Sequence, residues 1–576
     1  MRSFTLLFFF VGAITLCQAQ NNFQTFFEKG NGNQSVTYEE TISFYRKLDA
    51  NFKTIQMQEM GLTDSGEPLH IVIYNSDKSF DFAKISKSKT VLLINNGIHA
   101  GEPDGIDATM QLFRDIAVGK IIVPNNIVVV AIPVYNIGGS LNRNSTSRVN
   151  QNGPEDYGFR GNARNYDLNR DFIKSDTKNT RSFVEIFHSV KPAVFIDNHV
   201  SNGADYQYTL TYIMTEPKKL GSALGDFIKN DFTPDLLKKL KDKKIPATPY
   251  VNVWNGTPDQ GFQQFFDSPR YATGYTSLFN CLGYVVETHM LKNYNDRVKV
   301  TYDFMVAAIE TTAIKAISIK AKQLENEIQF QAGKRYTIQW KIDTTQVTPI
   351  SFLGYEGNYK KSDVTTGERL FYDTKKPFDK KIPFLAEYKS VKEILIPRFY
   401  LIPKGQWPII DLLKNNKVHY SQLPNDTIIE VESYKIADYQ TSKNAYEGHY
   451  LHYNTKVTAT TQKIAFKKGD YLVSTNQKGV KYLLETLEPE AIDSFFNWNF
   501  FDTILQQKEG YSSYVFEDLA SDFLNKNPDL RLQLEEKKKN DPNFAKNPEA
   551  QLDWVYKNSP HYEKAHLQYP IYRVVK

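Results

Sequence analysis

Thr90-Val-Leu-Leu-Ile94-Asn-Asn-Gly-Ile-His99-Ala-Gly-Glu102 is the stretch that decides the fold. Its first five residues form a short run, mostly apolar and β-branched, with no polar alternation. Such a run fits a strand covered on both faces, as in a mostly parallel sheet. Pro103 and Gly105 then mark the approach to a helix.

Working outward, Ile127–Ile132, Ala193–Ile196 and Tyr284–Val286 have the same texture. Helical patterns fall between them, near 105–118, 177–190, 217–231 and 274–282, with a longer one over 296–328. The alternation predicts an α/β fold, a mixed but mostly parallel sheet with helices on both faces. After Gln329 the runs at 336–342, 392–396 and 427–431 read as strands parted by Gly, Asn, Asp and Pro turns. The organisation expected is a leader over 1–19, an α/β domain over 20–330, a β-rich accessory region over 331–480 and a mixed region over 481–576.

Composition narrows the function. With 41% hydrophobic and 23% charged residues in a chain of 576, the protein is neither disordered nor fibrous. A net charge of +5 is too dilute for a nucleic-acid partner, which would need basic residues gathered on one face. Lys537-Lys538-Lys539 follows Glu535-Glu536 and reads as a solvated helix face.

Arg2, the apolar run Leu6–Leu16 and the small residue Ala19 make a secretory signal peptide, cleaved near Ala19. Cys17 invites a lipoprotein reading, but Leu16 fits poorly before a lipidated cysteine. The mature chain keeps Cys281 alone and no segment of eighteen apolar residues, so neither an internal disulfide nor a membrane span is expected. A secreted or periplasmic setting follows.

The chemistry lies at the strand ends. His99 and Glu102, three apart in a tight loop, are placed as two ligands of one metal could be. His199 ends a second strand, in Phe195-Ile-Asp-Asn-His199. Two His and a carboxylate leave one position free, the pattern of an open catalytic zinc site. Arg160-Gly-Asn-Ala-Arg164-Asn-Tyr-Asp167-Leu-Asn169-Arg170 runs between them, and guanidiniums beside such a site suit a carboxylate of the substrate. Glu287 ends a further apolar strand. Ligand crevices of open α/β sheets lie beyond such carboxyl ends.

In this order the motifs resemble the M14 family of zinc carboxypeptidases. HxxE at 99–102, Asp-Leu-Asn-Arg at 167–170, His199 and Val-Val-Glu-Thr at 285–288 carry the resemblance. Ile132-Pro-Val-Tyr-Asn-Ile-Gly-Gly139 also looks like a family segment, and the likeness covers about 40–320. It implies one zinc ion per chain, held by His99, Glu102 and His199. It implies Glu287 as general base and then acid, Arg160 on the scissile carbonyl, and Asn169 and Arg170 on a terminal carboxylate. Arg164 is the rival of Arg160, and Asp167 would orient a zinc-bound His. The partner implied is a peptide with a free C-terminus. Two other readings stay open: an amidase of the same fold acting on peptidoglycan stem peptides or acylated amino acids, and a non-catalytic peptide- or glycan-binding protein.

Other residues read as structural. His188 is expected on a helix face and His289 as a neutral hydrogen-bonded histidine. His449 and His452 lack a third ligand nearby in sequence. Tyr271 and Tyr275 are expected to pack the following helix, and the aromatics of Asn497–Asp502 to form a core stripe.

Overall fold

The structure is a computed structural model that describes residues 23–575. The expected signal peptide at 1–19, with Cys17, lies outside the described residues. An eight-stranded sheet forms the first half. Its strands are β1 (Ile55–Leu62), β2 (Pro68–Tyr74), β3 (Thr90–Asn96), β4 (Ile127–Ile132), β5 (Val194–Ser201), β6 (Leu210–Met214), β7 (Ala247–Pro249) and β9 (Leu282–His289). The short β8 (Phe262–Gln263) pairs elsewhere.

The strand order is β1-β2-β4-β3-β5-β9-β6-β7. Pairs β4–β3, β3–β5 and β5–β9 are parallel, and antiparallel pairs flank them. The expected mixed, mostly parallel centre is therefore present. The central strands are buried along nearly their whole length, which is why their sequences lack polar alternation. From β3 the chain goes to β4 on one side and to β5 on the other. That reversal opens a crevice beyond the carboxyl ends of β3 and β5.

Helices Asp104–Ala117 and Tyr294–Glu327 pack on each other and on the sheet, and helix Lys178–Val190 packs on β1 and β2. Two expectations are corrected. The helix read over 217–231 is broken at Gly221, whose φ of +113° no helix accommodates, and helical turns then continue to Asp242. The helix read over 274–282 ends at Ser277, because Asn280 turns left-handed and β9 begins at Leu282.

Beyond residue 330 lie β10 (Arg335–Ile342), β11 (Thr348–Lys361), β12 (Glu368–Leu385), β13 (Tyr388–Leu395), β14 (Phe399–Ile402), β15 (Ser421–Gln422), β16 (Thr427–Thr441), β17 (His452–Phe466), β18 (Tyr471–Ser474) and β19 (Tyr572–Val574). β11–β12 and β16–β17 are long ribbons, and β19 inserts between β14 and β16. One apolar core runs from the sheet into this region, through Tyr336, Tyr482, Trp498 and Tyr569. Helices Ser513–Lys526 and Pro548–Asn558 enclose a smaller core around Phe516 and Tyr556. Among the described residues no helix is long and apolar enough to cross a membrane.

Candidate metal centre and active site

The turn after β3 brings His99 and Glu102 together, with Glu102 N donating to the His99 carbonyl at 2.9 Å. Gly101 between them is required by a close approach. A Cβ there would meet Arg148 Cδ at 2.6 Å and the Gly158 carbonyl at 2.9 Å. β5 supplies His199, whose ring lies 4.9 Å from that of His99. Potential ligand atoms of His99, Glu102 and His199 all lie within 4.8 Å of one another, and all three residues are buried.

The two imidazoles are held in matching ways. Nδ1 of His99 lies 3.2 Å from Glu102 Oε1, and its Nε2 lies 3.1 Å from Asp167 Oδ1. Nδ1 of His199 lies 3.1 Å from Glu102 Oε2, and its Nε2 lies 2.9 Å from Asp197 Oδ2. In a metal-bound state each Nε2–H would donate to its aspartate, and both Nδ1 lone pairs would face one point beside Glu102. Carboxylates placed this way fix the tautomer and ring orientation of a metal ligand. The donor set and its supports fit a zinc ion.

The charges fit as well. Burial opposes ionisation of Glu102, yet Arg148, His99 and His199 hold its carboxyl well below the usual range. Burial likewise opposes Asp167, which His99, Arg160 and Arg170 hold well below its usual range. Against burial, Asp197 and Glu102 hold the His199 imidazole well above its ordinary value. The two imidazoles are thus surrounded by the carboxylates of Glu102, Asp167 and Asp197, a setting that favours a cation.

Glu287 stands beside His199 in the register of β5 and β9. Burial pushes its carboxyl up to about 8, helped by Glu102 and Asp197 and opposed by His199 and Arg160. Glu287 shares a cavity of about 250 Å³ with His99, Glu102, His199, Arg160, Asn169 and Arg170. Arg160 donates to Asp167 Oδ2 through Nη2 at 2.7 Å, and its Nη1 is 3.3 Å from His99 Nδ1. Asn169 Oδ1 accepts from Ala272 N at 3.1 Å, which fixes the amide at the cavity wall. Arg170 lies over the Tyr271 ring at 4.5 Å, and its Nη2 has no protein hydrogen-bond partner among the described residues.

Arg164 is not brought to the site. Half exposed and outside the cavity, it donates to the Asp176 carbonyl and lies near Asp64, with its guanidinium over Tyr166. Tyr271 and Tyr275 part company: Tyr271 lines the cavity, whereas Tyr275 is buried with its hydroxyl on Asn416. His289 pairs with Asp205, and His188 packs against Phe279. His449 and His452 bind different aspartates, Asp176 and Asp502. Trp498 and Phe501 are core residues.

The sequence reading missed Asp197, although its place two residues before His199 on one strand puts both side chains on one face. It also missed Arg148, 2.9 Å from Glu102 Oε1, and the cavity wall of Tyr250, Asn252, Trp254 and Phe265. Burial and Glu287 push the Tyr250 phenol up, so it remains a protonated donor at neutral pH. A larger cavity of about 490 Å³ opens near the start of β3, around Thr90 and Ala193, away from the metal-ligand cluster.

An open α/β sheet whose crevice gathers two buried histidines and a carboxylate defines a protein with a candidate metal centre at its strand ends. No family model matches the chain. Carboxypeptidase 2 of Trichophyton rubrum is 23% identical to it over 484 residues, 81% of this chain and 84% of that protein. Carboxypeptidase 2 of Trichophyton equinum is 24% identical over 488 residues, with the same shares covered. Among solved structures, a metallo-carboxypeptidase from Burkholderia cenocepacia aligns with a TM-score of 0.37 and 15% identity over 49% of this chain and 70% of its own. Carboxypeptidase A from Helicoverpa armigera aligns with a TM-score of 0.38 and 14% identity over 53% and 80%. The chain is thus similar to carboxypeptidases over most of its length. A match to 81% of the chain extends well past residue 330, beyond the 40–320 that the motifs cover.

Proposed function

We propose that this chain is a secreted, zinc-dependent metallocarboxypeptidase that removes residues from the free C-termini of peptides. The observation that carries the reading is convergence. The Nδ1 atoms of two anchored histidines, Glu102 and Glu287 meet in one cavity whose wall presents Arg160, Asn169 and Arg170. His99, Glu102 and His199 would hold the ion, one per chain. When bound, it supplies Lewis acidity and a water of lowered pKa.

The chain's own groups complete the reaction. Arg170 Nη2 and the Asn169 amide bind the terminal carboxylate, which fixes the last peptide bond over Glu287. Glu287 takes a proton from the attacking water and returns it to the leaving amine. Arg160 stabilises the oxyanion that develops on the scissile carbonyl, a role typically worth ~10²–10³ in turnover. The donor left open on Arg170 favours this reading over an amidase. The test compares one peptide as free acid and as C-terminal amide. Hydrolysis of the free acid alone is expected, and equal rates would overturn the carboxypeptidase reading. The leader-like residues 1–19 support export.

A further inference from the structure

The turn joining β16 to β17 leaves its own sheet and reaches the segment that carries Arg170. Tyr446 and His449 close this turn through a pair of backbone hydrogen bonds of 2.7 and 3.1 Å. Its two central residues, Glu447 and Gly448, both have positive φ, +50° and +81°, as tight hairpin turns favour. At Gly448 a Cβ would meet the Tyr166 hydroxyl at 2.7 Å, and the positive φ would strain any other residue. Glu447 accepts its unfavourable backbone while its Oε2 receives the Asp167 N–H at 2.8 Å.

Three ties then run from the C-terminal region to the carboxylate-binding wall. The Tyr446 hydroxyl accepts from Arg170 Nε at 3.0 Å. Tyr446 itself stacks on the buried Trp498 at 6.2 Å and 21°. Asp493 receives both the backbone N–H and Nε of Arg270, at 2.9 and 2.7 Å, and Arg270 is the neighbour of Tyr271, whose ring lies under Arg170. His449 pairs with Asp176 at 2.8 Å, beyond the other end of the same segment. The Arg170 guanidinium is accounted for on all sides but one. Nε is held by Tyr446 and Nη1 by the Asn169 carbonyl at 2.8 Å, and the side chain opens into the cavity.

We infer that the β16–β17 turn is a working part of the substrate site, with Tyr446 the positioning residue that aims Arg170 at the terminal carboxylate of the peptide. This rests on the carboxypeptidase reading above. It gives part of the region beyond residue 330 a role in substrate affinity. Tyr446 touches neither substrate nor the reacting atoms. It acts by fixing the rotamer of a long, flexible cation, which lowers the ordering cost of each binding event.

Tyr446→Phe removes one oxygen and keeps the ring against Trp498. The expected result is a KM for a free-acid peptide raised about 3- to 10-fold, with kcat changed less than about twofold. Zinc content and Tm should match the parent. Competitive inhibition by the released amino acid should weaken by the same factor, which reads affinity without chemistry. Arg170→Ala is the reference and should raise KM further. If Arg170→Ala raises KM while Tyr446→Phe leaves both KM and product inhibition unchanged, the inference fails and the carboxypeptidase reading stands. If Arg170→Ala leaves KM unchanged, that reading falls and the inference with it. A Tyr446→Phe loss confined to kcat, or matched by lost zinc or lost folded protein, also overturns the inference.

Discussion

The eight-stranded sheet and the region beyond residue 330 solve burial differently. β3, β4 and β5 hide both faces, so each is a continuous apolar run, and chemistry gathers where the runs end. β11, β12, β16 and β17 are long ribbons with many exposed positions, and β16–β17 meets the site through its turn. In the first region position along a strand announces function. In the second a residue matters through what its turn happens to touch. Substitutions in the sheet should therefore strike chemistry and metal, and those in the ribbons substrate positioning.

Glu287→Gln should break activity most severely. A fall in kcat/KM of about 10³-fold or more is expected, with zinc retained, because the amide keeps the shape and loses the base. Rates and zinc content on the same preparation check it, and undiminished hydrolysis would remove Glu287 from the mechanism. Asp197→Asn should come next. It weakens the support of His199 and should lower zinc affinity about 10- to 100-fold, measured by competition with a chelator. An unchanged affinity would mean that the Asp197–His199 contact does not hold the ligand.

The pH dependence sharpens the contrast. Glu287 must be ionised to act, and burial raises its carboxyl above the ordinary value of 4.5, while a bound cation pulls it back. kcat/KM should accordingly fall as pH drops, along a limb centred above 4.5. A profile flat down to that value would contradict a buried base. The smallest effect belongs to the exposed helix Pro528–Asn540. Lys539→Ala should alter stability by less than about 0.5 kcal/mol and leave kcat/KM unchanged. A larger change by calorimetry or in rate would show that this helix is not a solvated face.

Much of the first region was legible because its physics is local. Apolar runs forecast β3, β4, β5 and β9, and residues at the ends of β3, β5 and β9 converge in the cavity. Asp197 was readable in principle from its alternation with His199. The failures share a cause. The break at Gly221 depends on a φ value, and the displacement of Arg164 depends on Asp64, far away in sequence. Tyr271 was assigned to packing, yet Arg170 draws it to the cavity. Tyr446 and Asp493 had no signal at all, since their partners lie more than two hundred residues earlier and no periodicity links them.

The central claim is that the cavity at the ends of β3, β5 and β9 removes C-terminal residues with the help of a metal. Mass spectrometry of a mixed peptide pool, incubated with zinc-loaded and with chelator-treated protein, tests it most directly. Stepwise loss of C-terminal residues with the zinc-loaded protein alone is the result predicted. Internal cleavage, or C-terminal trimming that persists at full rate after the metal is stripped, would contradict it.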